Sequence, residues 1–283
     1  MCYTYWESIK NYQKGAEMKK IAFIGAGNMA SAICGGILRS KIALPNDIIL
    51  FDKNVEQFSR FDNDCLKEEN IENAIKVSDV VFFSVKPQNM KEILAQISDL
   101  DIKNKLFISI CAGVSIKSIE DALGNVKVVR TMPNTPLLIG QGVTALCRND
   151  KVSDEEFEFA TSLFASSGYT TELKEDEINR ITAITSSSPA YVYLFAKAML
   201  VGAQNMGIDG ENTLEMICKT IIGSANMILS DSRSVDELIR MVKSPNGTTE
   251  RALNVFEQKG FIDIVSEAMK ACADRADELS KLN

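Results

Sequence analysis

Histidine is absent from all 283 residues, and that absence narrows the chemistry before any motif is considered. Ser–His and Cys–His nucleophile pairs are excluded, and so are the usual imidazole ligands of zinc. Any proton handling must proceed without an imidazole base. Cysteine occurs at positions 2, 34, 65, 111, 147, 218 and 272, but never as a C-x-x-C pair. Neither a zinc site nor a disulfide framework is indicated. Most of these cysteines lie in apolar runs, where a thiol behaves as a small hydrophobe, and a reducing, cytoplasmic setting is expected. No stretch reaches the roughly 18 to 20 apolar residues of a membrane span. Positive charge is scarce too. The formal net charge is −7 with no basic stripe, so a nucleic-acid partner is not expected. The opening MCYTYWESIKNYQKGAE has no continuous apolar core and does not read as a secretory signal. Residues 1–17 read instead as a flexible extension ahead of Met18, with a short docking arm as the alternative.

What is present is the composition of a globular protein, 46% hydrophobic and 24% charged, long enough for one large domain or two ordinary ones. From Lys19 to about Leu173, runs rich in Ile, Val and Phe alternate with helical patterns. The runs are KKIAFIG, DIILFD, DVVFFSV, KLFISIC, KVVRTMP and GVTALC; the helical patterns are NMASAICGGILRS, MKEILAQISDL and SIKSIEDALG. Strands buried on both faces of a parallel sheet read this way. The pattern predicts an α/β domain over 18–176, a doubly wound, Rossmann-type parallel sheet. After Asp176 strand signals stop, and 177–283 reads as an all-helical domain. Its first segment, SPAYVYLFAKAMLVGAQNMG, is apolar nearly all round and is expected to be a buried helix ended by Gly207. So much Met, Ile and Ala in about a hundred residues predicts a core shared with a second subunit.

Two turns carry the chemistry. IAFIGAGNMASA places Gly25 and Gly27 between the first strand and the first helix. Glycines there permit a tight turn and let the backbone approach a pyrophosphate, whose charge the helix N-terminus favours. Ala30 replaces the third glycine of G-x-G-x-x-G and still allows close helix–sheet packing. Asp52, after the second strand, stands where an acidic residue binds an adenosine ribose, or it caps the next helix. Lys53 follows and suits a 2′-phosphate, so the sequence leaves NADPH and NADH both open. The second turn, KSPNGTTERAL, runs straight into a helix and presents backbone N–H groups beside two threonine hydroxyls.

Four further stretches, DVVFFSVKPQNM, SICAGVSI, VRTMPNTP and SPNGTTERAL, follow GAGNMA in a fixed order. Together they resemble the Δ1-pyrroline-5-carboxylate reductase family from Met18 onward. The resemblance implies an N-terminal dinucleotide-binding domain and a helical domain that interlocks with that of a second subunit, with rings of such dimers common. It places the cofactor against Gly25, Ala26, Gly27, Asn28 and Met29, against Ser84, Val85, Lys86 and Pro87, and against Cys111, Ala112 and Gly113. The substrate it implies is a cyclic imine carrying a carboxylate, 1-pyrroline-5-carboxylate, reduced to L-proline. The backbone around Ser244, Gly247 and Thr248 would hold the carboxylate, and the Thr249 hydroxyl would reach the ring nitrogen. VKPQ also reads as a strand end stopped by proline, and MPNTP as a rigid turn.

The chain departs from the family pattern in three places. Asn246 stands where glycine is usual, a change that tolerance of the left-handed region makes mild. TSSSPAY replaces S-G-S-G-P-A-Y, so Ser186 and Ser188, ahead of Pro189, add bulk to a turn the resemblance places near nicotinamide and substrate. Ser232 and Val235 replace an acidic residue and a proline, with Asp231 adjacent. These changes keep two alternatives open: a related imine or oxo-acid reductase, for which Lys197 on the long helix is a candidate, and a cofactor-binding paralogue without turnover.

Overall fold

Runs of four apolar residues become strands with no solvent-facing side. The computed structural model describes residues 18–282, and the N-terminal extension lies outside the described residues. In chain order the first part contains β1 (Ile21–Ile24), α1 (Asn28–Arg39), β2 (Ile48–Phe51), β3 (Leu66–Lys67), α2 (Ile71–Lys76), β4 (Val80–Phe83), α3 (Met90–Ile97), β5 (Leu106–Ser109) and α4 (Ile116–Leu123). It continues with β6 (Lys127–Met132), β7 (Gly142–Arg148), α5 (Asp154–Ala165), β8 (Gly168–Glu172) and α6 (Glu175–Ile181). The sheet order is β3-β2-β1-β4-β5-β6-β7-β8.

Because successive side chains leave opposite faces of a strand, β4 feeds two cores at once. Val80 and Phe82 join the layer under α1 and α5, while Val81 and Phe83 join the layer under α2, α3 and α4. Ring stacking ties adjacent strands within each layer, Phe23 on Phe82 at 4.6 Å and Phe83 on Phe107 at 5.3 Å.

The expected all-parallel sheet holds with one reversal. Every neighbouring pair is parallel except β6 and β7, which run antiparallel. Residues 133–141 between them hold only a tight turn, Thr135–Ile139, closed by Gly140 at φ +74°. That is too short for the crossover a parallel partner requires.

The second part consists of α7 (Ser188–Asn205), α8 (Thr213–Ser230), α9 (Val235–Val242), α10 (Thr248–Gln258) and α11 (Phe261–Leu282). The chain divides into two compact units. Ser188–Ala271 forms one, and from Cys272 onward the chain belongs to the nucleotide-fold unit. Gly207, left-handed at φ +77°, follows the end of α7 as expected. The expected burial of α7 does not hold within one chain. Only Ala203 is buried, while Tyr193 and Leu194 are 63% and 67% exposed. Met216, Ile222 and Leu229 of α8 are likewise uncovered. Apolar periodicity marks a face that needs covering, without saying which chain covers it. No helix among the described residues is long and apolar enough to cross a membrane.

Candidate active site

The first candidate site is the β1–α1 turn. Gly25 sits at φ +99°, and a Cβ there would lie 2.6 Å from the Ser84 carbonyl oxygen. This position requires glycine for the protein's own sake. Gly27 differs. It is the N-cap of α1 at φ −78°, and a Cβ there would meet nothing within 4 Å. Its missing side chain leaves open space in front of the first-turn amides of Asn28, Met29 and Ala30, which an α-helix cannot bond internally. The first turn of α1 carries no acidic side chain, so nothing there opposes an anion. A diphosphate fits this cradle by charge, donors and space.

Asp52 anchors the turn. One carboxylate oxygen accepts the Ala26 N–H at 2.7 Å and the other the Asn54 N–H at 2.8 Å. The helix-capping alternative falls instead to Asn54, whose side chain accepts from Glu56 N–H. Lys53 is paired with Glu92 at 2.8 Å. Both line a cleft of about 320 Å³ that also reaches Gly25, Gly27, Ser84 and Lys86. Glu92, Gln57 and Asn89, also at this cleft, were invisible in sequence. They come from separate elements, and no spacing links them to Lys53.

The ends of β4 and β5 complete this side. The Ser84 hydroxyl donates to the Gly25 carbonyl at 2.6 Å, which makes it a brace for the glycine turn. Lys86 and Pro87 open a short 3₁₀ turn that stops the strand. The Cys111 thiol is buried and donates to the Val85 carbonyl at 3.2 Å. Burial pushes its pKa up to about 11, so this sulfur is a structural tie between the two strand ends and no nucleophile. Gly113, at φ +72°, faces the Leu279–Ser280 backbone, which a Cβ would meet at 3.3 Å. Gly25–Met29, Ser84–Pro87 and Cys111–Gly113 therefore share the C-terminal edge of one parallel sheet, where open α/β folds bind ligands.

A separate candidate, within the helical unit, is the start of α10. Its N-cap is Gly247, with no side-chain capping bond, so neither threonine serves as the cap. Asn246 is left-handed at φ +57°, as its replacement of glycine requires, and its N–H donates to Glu250 at 2.8 Å. The Gly247 N–H is already bonded to the Ser244 carbonyl at 3.0 Å. The first helical bond runs from Arg251 N–H to the Gly247 carbonyl, so the amides of Thr248, Thr249 and Glu250 are the first-turn donors an anion could use.

The TSSSPAY segment is not a simple turn. Residues 182–186 form a π-turn, with Ser187 N–H bonded to the Thr182 carbonyl at 2.8 Å, and α7 starts at Ser188. Ser186 needs no left-handed backbone, and its hydroxyl donates to the Pro133 carbonyl at 3.2 Å. Asn134 of MPNTP is buried and clamps the same segment, accepting from Val143 N–H at 2.8 Å and donating to the Thr185 carbonyl at 3.0 Å. The motif is a rigid turn with a purpose. Asp231 is held by Arg233, whose guanidinium draws its pKa down to about 2.

Comparison with known proteins agrees with this arrangement. Residues 175–279 match the family described as pyrroline-5-carboxylate reductase dimerisation, and residues 20–113 match NADP oxidoreductase coenzyme F420-dependent. The first match is to a dimerisation domain, so the protein is a homo-oligomer. A pyrroline-5-carboxylate reductase of Pseudomonas aeruginosa is 38% identical over 93% of this chain and 97% of its own length. A Plasmodium falciparum pyrroline carboxylate reductase, solved with NADP bound, superposes with a TM-score of 0.87 at 28% identity, covering 94% of this chain and all of that one. A Coxiella burnetii pyrroline-5-carboxylate reductase gives 0.84 at 32% identity over 93% of this chain and 99% of that one. With relatives this similar along nearly the whole of both chains, the protein belongs to the pyrroline-5-carboxylate reductase family.

Proposed function

We propose that this chain reduces 1-pyrroline-5-carboxylate to L-proline with NADPH, NADH being the alternative donor. The observation that carries the reading is the start of α10, where Thr248 and Thr249 offer amides and hydroxyls unused by capping. A helix N-terminus of this kind suits a carboxylate. The NADP bound to the Plasmodium falciparum relative and the open cradle at Gly27 support the cofactor.

When bound, the nicotinamide supplies a hydride to the imine carbon. The chain's own part is to hold and orient. A protonated imine is already electrophilic, so positioning of the two rings provides most of what the enzyme must add, about 7 to 11 kcal/mol in the best cases. Thr248 and Thr249 amides hold the carboxylate, and the Thr249 hydroxyl accepts from the iminium N–H or donates to the product amine. No step calls for an imidazole, in keeping with a chain that has none. Asn134 and Ser186 fix the π-turn ahead of Ser188 and Pro189, whose helix start completes the substrate-binding set. The exposed apolar faces of α7 and α8 support helical domains that interlock between two copies. A ring of such dimers, in a reducing cytoplasm, is the larger assembly the family resemblance implies.

The test is NADPH oxidation with 1-pyrroline-5-carboxylate and stoichiometric formation of proline. Binding of NADPH without any acceleration by this imine would overturn the reading in favour of a cofactor-binding protein without this turnover.

A further inference from the structure

We infer that Glu92 is a specificity-determining residue, which sets the preference between NADPH and NADH by competing with the cofactor's 2′-phosphate for Lys53. The inference rests on the reading of the Gly25–Gly27 cleft as the cofactor site, and it assigns a role to a residue on a different element, the first turn of α3. Three observations carry it. Lys53 Nζ lies 2.8 Å from Glu92 Oε1, and both side chains line the cleft. Asp52, beside Lys53, has each carboxylate oxygen occupied by a backbone N–H, so its negative charge is fixed at the cleft and cannot swing away from a phosphate. The pair is solvent-exposed, 61% for Lys53 and 56% for Glu92, and exposed pairs are weak enough to exchange partners.

A 2′-phosphate brings about 1.5 to 2 negative charges into a cleft that already holds Asp52 and Glu92. Lys53 is the cation next to Asp52, Lys86 being the other at the cleft, and in the resting cleft Glu92 has claimed Lys53. Binding of a phosphorylated ribose requires Lys53 to leave Glu92, which then faces the phosphate with its charge uncompensated and only the neutral Gln96 amide beside it at 3.4 Å. An unphosphorylated ribose leaves the Lys53–Glu92 pair undisturbed. Glu92 thus acts against NADPH only, and its charge, not its shape, is the active property.

The experiment is fluorescence titration of the full-length protein with NADPH and with NADH, for the parent, Glu92→Gln, Lys53→Met and Gly27→Val, each checked for an unchanged melting temperature. Glu92→Gln is expected to tighten NADPH about two- to fivefold, the range an exposed ion pair commands, and to leave NADH unchanged. Lys53→Met is expected to weaken NADPH about tenfold, as loss of a charge-assisted contact does, again sparing NADH. Both differences should shrink at high salt. A Glu92→Gln protein whose two affinities keep the parental ratio overturns the proposal, while loss of both nucleotides in Gly27→Val would leave the cofactor site itself standing. A parent that binds neither nucleotide overturns both readings together.

Discussion

Replacing Gly25 by alanine and Gly27 by valine, one at a time, separates two reasons for a glycine in a single loop. At Gly25 a Cβ would be 2.6 Å from the Ser84 carbonyl oxygen and 2.9 Å from the Val85 nitrogen. Those are backbone atoms at the end of β4, held by the parallel register with β1, and the Gly25 N–H itself is bonded to the Phe51 carbonyl. Strain at φ +99° costs about 1–3 kcal/mol, and forcing backbone apart costs a similar amount. A loss of about 3 kcal/mol lowers the melting temperature by about 6–12 °C in a domain of this size. At Gly27 the backbone is extended and nothing stands within 4 Å, so valine should cost no more than about 1 kcal/mol as an N-cap. The isopropyl group then fills the space in front of the α1 amides. Overpacking of a bound diphosphate by about 1–3 kcal/mol weakens NADPH roughly 5- to 150-fold. Thermal unfolding without ligand, run beside NADPH titration, reads both quantities. Parental NADPH affinity in Gly27→Val refutes the cradle, and a parental melting temperature in Gly25→Ala refutes the close approach to Ser84.

Three further outcomes follow from the same geometry. Thr249→Ala should lower kcat about 100- to 1000-fold, the scale of losing one polar contact to the reacting group, with NADPH affinity unchanged; Thr249→Ser should restore most of it, and parental steady-state kinetics in the alanine variant would remove the hydroxyl from the mechanism. Asn134→Ala leaves the Val143 N–H and the Thr185 carbonyl without their partner, so it should destabilise by about 2–4 kcal/mol, read from chemical denaturation; a shift below about 0.5 kcal/mol, the size of an ordinary surface change, would mean the clamp is dispensable. Stability should fall on acidification. The Lys151 contact holds the Glu120 carboxyl below its ordinary 4.5. At Glu156 burial acts upward, but bonds from Lys127 and Ser153 outweigh it and the net direction is down. Groups depressed on folding stabilise above the unfolded value and lose that contribution as pH drops through the folded one. Melting temperatures followed downward from pH 4.5 should therefore decline less steeply in a Lys127→Met, Lys151→Met protein, and identical slopes would remove these carboxylates as the cause.

The central strands were readable because burial on both faces leaves four apolar residues in a row, and neither alternation nor helical spacing competes with that signal. The same logic explains the strands that were missed. Leu66 and Lys67 form a two-residue edge with both side chains exposed, and Gly168–Glu172 is a polar stretch whose residues are at most half-buried. Neither has an apolar run to detect. The α5 helix is a different case. Ser153 and Glu156 form a capping box ahead of Phe157, Ala160, Leu163 and Phe164, so its signal is present in the sequence. The reversal at β7 was not written in the strand at all, since GVTALCR is apolar in either direction. Only the brevity of residues 133–141 bears on it.

Sites divide along the same line. Backbone demands are local and therefore legible: Gly25, Asn246 and Gly207 each adopt the left-handed conformation their residue type suggested. Side-chain partnerships are set by the fold. Nothing near Lys53 in sequence foretells Glu92, and nothing in SPNG reveals that the Gly247 amide is already spent on Ser244. The exposed rows on α7 and α8 extend the point beyond a single chain. Their periodicity marks an apolar face, and within one chain that face is uncovered. A protein whose helical unit leaves Tyr193, Leu194 and Leu229 uncovered cannot hold that unit steadily as a monomer, because each large apolar side chain left in water forgoes about 1.5–3 kcal/mol of burial. The α10 turn lies in that same unit, so an assembly that covers these rows would also steady the turn.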